Sequence, residues 1–118
     1  MNLDGVKKMA EYFHIATGMR GAYMPDNSYI VKVDSRRELK AIIESEAESI
    51  RDAGFYGANK REVTATVTDA WRNLKAKVKS PYPFVVPYGM SRGSYRPYGI
   101  MIAHSSRAEY LEYMENEQ

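Results

Sequence analysis

The segment Gly18-Met-Arg-Gly-Ala-Tyr-Met-Pro25 recurs as Gly89-Met-Ser-Arg-Gly-Ser-Tyr-Arg-Pro97, with one serine inserted. The match extends beyond the loop. The interval from Phe13 to Phe84 equals that from Ser35 to Ser106, from Arg36 to Arg107 and from Glu38 to Glu109. A constant offset on both sides of a glycine-rich loop predicts two copies of one unit: helix, strand, loop, strand, capped helix. Two such copies, 1–58 and 59–118, would form one pseudo-twofold domain of class α+β. Their hairpins would join in a small antiparallel sheet of about four strands packed with helices. Chance recurrence in a chain rich in glycine, tyrosine and arginine is the competing explanation.

Local signals fill in this frame. Leu3, Val6, Met9, Ala10 and Phe13 have helical spacing, whereas Tyr12-Phe-His-Ile15 reads equally as a strand, and the repeat favours a strand over residues 12–17. Tyr29-Ile-Val-Lys-Val33 is β-branched and predicts a strand. Ser35-Arg-Arg-Glu38 is a capping box ahead of the stripe Leu39, Ile42, Ile43, Ala47 and Ile50, and Gly54 ends that helix. Asn59 starts a second helix, expected to reach Lys79, with Val63, Val67, Ala70, Trp71, Leu74 and Val78 inward. Trp71, in the middle of that stripe, is expected in the core. Ser80-Pro-Tyr-Pro83 stops the helix, because proline lacks an amide donor and restricts the residue before it. Residues 84–86 and 99–103 then predict a second hairpin, and Ser106-Arg-Ala-Glu109 caps a short last helix.

Composition narrows the function classes. With 118 residues and no cysteine, the chain is long enough for one core and has no means for disulfides, thiolate metal sites or a cysteine nucleophile. No apolar run approaches the ~20 residues of a membrane span, and the start lacks a signal-peptide stretch. These features predict a soluble, cytoplasmic protein with no membrane partner. The net charge is only +2, but residues 70–108 hold seven cations and no acid, while residues 109–118 hold four glutamates. That asymmetry predicts a surface attracting an anionic partner.

Two candidate sites follow. The paired loops carry Arg20 and Tyr23 in one copy and Arg92, Tyr95, Arg96 and Tyr98 in the other. Glycine allows close backbone approach, arginine offers a planar fork to phosphate, and tyrosine offers a face to a base. The bland alternative is turn glycines, packed tyrosines and solvated arginines. The second site is the outer face of the helix from Lys60, where Arg61, Thr68, Arg72, Lys75 and Lys79 align opposite Trp71 and Leu74. Its alternative is an ordinary solvated face.

Catalytic and metal signals are weak by comparison. His14 and His104 have no partners at metal-ligand spacing and fall at non-equivalent places in the repeat. Ser106 is better used as a cap than as a nucleophile, and Glu44, Glu46, Glu48 and Asp52 read as a solvated helix face. The expectation is therefore a non-enzymatic protein without metal or cofactor, binding nucleic acid or another phosphate-bearing ligand. The alternative is a small interaction module, of the accessory kind found in phages and mobile elements, presenting the same tyrosines and arginines to a protein partner.

Overall fold

The computed structural model describes residues 10–19, 24–53, 60–82 and 98–117. In chain order these form β1 (Glu11–Met19), β2 (Asn27–Val33), α1 (Arg36–Ala53), α2 (Lys60–Lys75), β3 (Tyr98–His104) and α3 (Arg107–Asn116). The strands make one antiparallel sheet in the order β2-β1-β3. Phe13 stands opposite Val31 and His104, and Ile15 opposite Tyr29 and Ile102. Opposed residues in an antiparallel pair share a face, so this register gathers Phe13, Ile15, Val33, Ile100 and Ile102 on one side. That side is the core face. Leu39, Ile43, Ala47 and Ile50 of α1 and Val63, Ala70 and Leu74 of α2 pack onto it.

The class is α+β with a small sheet, as the sequence predicts. Among the described residues the sheet has three strands and not four. The expected strand at 84–86 and the helix from Leu3 lie outside the described residues. Part of the repeat can still be compared. The interval between the bounds of β2 and those of β3 is the one that separates the starts of α1 and α3, and it equals the sequence offset. The two strands nevertheless meet β1 in different registers, since Tyr29 and Ile102 face the same Ile15 although Ile100 is the counterpart of Tyr29 in the repeat. The helices differ too: α1 carries four core residues and α3 buries none. The described residues therefore do not establish a twofold relation between the halves.

Capping fixes where two of the helices begin. The Ser35 hydroxyl accepts from the Glu38 amide at 3.3 Å, and the Glu38 carboxylate reaches back to the Asp34 amide at 2.6 Å. At α3, Ser106 is extended and accepts from the Glu109 amide at 3.1 Å. α3 lies toward the other face of the sheet, where the Tyr110 ring meets Tyr12 at 5.4 Å.

α2 departs from the sequence reading at its end and in its orientation. The helix stops at Lys75 instead of Lys79, because Lys77 takes a left-handed φ of 58°. The Lys77 amide then bonds the Leu74 carbonyl at 2.9 Å, which closes the last turn. The buried face is rotated toward Thr66 and Asp69, so Val67 and Trp71 only flank the core. Trp71 is thus partly buried where the stripe predicted a core residue. The cause is the packing of α2 along β3. Asn73 Oδ1 accepts from the Ile102 amide at 2.9 Å, and the Val78 carbonyl accepts from the His104 amide at 3.1 Å. With Asn73 turned to the sheet edge, Trp71 moves to the opposite flank of the stripe.

Candidate functional site

Five of the six predicted loop residues, Arg20, Tyr23, Arg92, Tyr95 and Arg96, lie outside the described residues. Tyr98 enters only as backbone, the first residue of β3. The basic helix face is described. Arg61, Thr68, Arg72 and Lys75 are all exposed along α2, and Lys79 is exposed just beyond it. Arg72 is not a freely available cation, since its Nη1 lies 3.7 Å from the carboxylate of the buried Asp69.

At the C-terminal end of α2 the basic face meets a cleft of about 260 Å³, lined by Arg36, Trp71, Leu74, Lys75, Lys77 and His104. Four chain segments build it. Arg36 comes from the first turn of α1, Trp71 and Lys75 from the last turns of α2, Lys77 from the cap, and His104 from the end of β3. The guanidinium is held in place: Nε and Nη2 donate to the two oxygens of Glu11 at 2.9 and 3.0 Å, and the group sits 5.4 Å from the Phe13 ring centre. The hydrogen bond to Glu11 is the main reason its proton affinity is raised, with burial acting against it. Phe13 also braces His104, whose ring lies 5.4 Å from its own.

Arg36 is compensated by Glu11, whereas the lysines at this end of α2 are not: among the described residues, no carboxylate lies within ion-pair distance of Lys75, Lys77 or Lys79. The negative end of the α2 dipole points the same way, so part of the lysines' charge offsets it. Three lysines exceed what the roughly half charge of a helix end requires. The left-handed cap matters here, since it carries Lys77 round to the cleft instead of continuing the helical spiral.

A second polar group lies on the opposite sheet face. The Tyr82 hydroxyl donates to Ser28 Oγ at 3.0 Å, and Ser28 Oγ is 2.5 Å from Nε2 of His14. The Tyr82 ring stands edge-on to the imidazole at 5.5 Å. Burial lowers the His14 pKa from its ordinary value, and the nearby Glu109 partly opposes this. A neutral ring suits the contact, because Nε2 then accepts the Ser28 proton. A serine and histidine in contact are two parts of a nucleophile set. Glu109, the nearby acid, accepts from Ser105 at 2.8 Å, and no described contact orients the imidazole as a third member would.

The remaining candidates resolve into structure. Glu44 pairs with Lys40 at 3.9 Å and Glu48 with Arg51 at 3.7 Å. Glu46 accepts from the Tyr29 hydroxyl at 2.5 Å, in a groove of about 350 Å³ between β2 and α1. Burial first, and then the Glu46 carboxylate, push the Tyr29 phenol well above its usual range. Among the described residues no three potential ligands gather as a metal site, and no helix is long and apolar enough to cross a membrane.

The sequence reading misses Arg36, Lys77 and His104 as members of the cleft. In the sequence Arg36 is legible only as part of a cap, and the helical periodicity assigns Lys77 to a helix that stops short of it. Comparison with known proteins adds no relative: no family model matches the chain, and neither curated proteins nor solved structures give a match.

Proposed function

We propose that the protein binds nucleic acid, or another phosphate-bearing ligand, through the outer face of α2 and the cleft at its C-terminal end, and that it acts by binding and not by catalysis. The observation that carries this reading is the convergence of Lys75 and Lys77 with the Glu11-held Arg36 around Trp71. Cations brought together from separate segments make a concave anion site, where a merely solvated face would spread them along one helix. Arg61 and Lys75, exposed on the same helix, extend the positive face away from the cleft, with Thr68 exposed between them.

Binding of labelled DNA and RNA at two salt concentrations tests this. The double variant K75A/K77A should retain the parent's melting temperature, since both side chains are exposed. It should bind more weakly, and its dependence of log affinity on log salt should be shallower by about two. A protein partner is the second reading, favoured by α3, which buries no residue and leaves Leu111 and Met114 44% and 40% exposed. Nucleic-acid binding that the double variant leaves unchanged, or an absence of any such binding in the parent, would move the function to that surface.

A further inference from the structure

We infer that the cleft receives an unpaired nucleobase, so that the ligand is single-stranded nucleic acid and not duplex. This rests on the phosphate-binding reading above and adds what Trp71 does there. Phosphate recognition alone needs cations and donors, and an indole brings to it no charge and a single N–H, leaving its large aromatic surface unused. Yet the one tryptophan of the chain stands in the wall of the described cleft that gathers these cations.

Among the described residues Trp71 pairs with no other aromatic ring, and the Arg36 guanidinium beside it is directed to Phe13 instead. Trp71 is partly buried against the core, which anchors the indole, and it also lines the cleft. A rigid aromatic face bordered by cations is what a base with its backbone requires: stacking for the base and counter-charge for the adjoining phosphates. A duplex cannot use this arrangement. Its bases are stacked on each other, and a cleft of about 260 Å³ admits a splayed base but not a double helix.

The single tryptophan is its own reporter. Its emission is followed during titration with a short oligothymidylate, with a hairpin duplex of similar charge, and with inorganic triphosphate, while binding is measured in parallel by anisotropy of labelled nucleic acid. The single strand should change Trp71 emission saturably and bind more tightly than the duplex, which should leave emission unchanged. In W71L the single-strand affinity should fall by roughly five- to a hundred-fold, the loss of one stacked base, with duplex binding little altered. W71F should recover part of it. If W71L fails to fold, the emission and the strand preference of the parent still decide. Equal binding of strand and duplex without an emission change, or an equal response to triphosphate, would overturn the inference and leave the anion site standing. Failure of every nucleic acid to bind would overturn both.

Discussion

In the fold, the His14 ring is held between Ser28 of the neighbouring strand and Tyr82 from beyond α2. Its titration has a measurable result. Because burial lowers the folded pKa below its ordinary 6.5, the unfolded chain binds more protons between the two values. The stability associated with the neutral ring is fully present above the unfolded value and is lost as pH falls through the lower folded one. The parent should therefore lose stability as the solution is acidified from neutrality through and below pH 6.5, with Tyr82 and Glu109 the neighbouring titratable groups. H14Q should flatten that part of the profile, as seen in denaturant midpoints. An unchanged slope would place the pH dependence elsewhere. In the sequence His14 is a lone histidine on a strand, and nothing local reveals its partners. The contact depends on a hairpin register set across the loop after β1.

At the scale of elements, α1 is fully readable because its cap and its apolar stripe point to the same boundaries and the same face. α2 is readable in kind but not in detail. Its apolar periodicity favours Trp71 and Val67 as buried, whereas the edge of β3 draws in Asn73, and with it Thr66 and Asp69. Hydrogen bonds to a neighbouring strand outweigh a periodic pattern, and such partners are invisible before the fold is known. The early stop at Lys75 has a similar origin. Proline at position 81 signals an end to the helix, but the chain turns earlier, through the left-handed Lys77. That conformation costs a residue with a Cβ about 1 to 2 kcal/mol, which glycine avoids. K77G should therefore raise stability by about 1 kcal/mol in chemical denaturation while making the salt dependence of binding shallower by about one. A destabilised K77G would mean that the lysine side chain, and not only the turn, holds the cap.

Across the whole molecule, the charge asymmetry of the sequence maps onto the fold only in part. Lys75 of α2 and Lys77 of its cap are placed at the cleft, whereas Arg92 and Arg96 fall outside the described residues. The constant sequence offset anticipates the matching bounds of β2 with β3 and the matching starts of α1 and α3, and it cannot anticipate that only α1 of that pair contributes to the core. Burial depends on which sheet face each helix crosses, and that is a property of topology. The outer edge of β3 shows topology acting again. N73A should cost about 1 to 3 kcal/mol by leaving the Ile102 amide without its acceptor, and hydrogen exchange at that amide should quicken. Unaltered exchange would show that another group takes over the bond. An exposed strand edge is a template on which further chains can add. On this side two amides of β3 are already occupied from within the same molecule. A second copy arriving there finds these two donors taken, so among the described residues this stretch of the edge is blunted against the strand addition by which fibres grow.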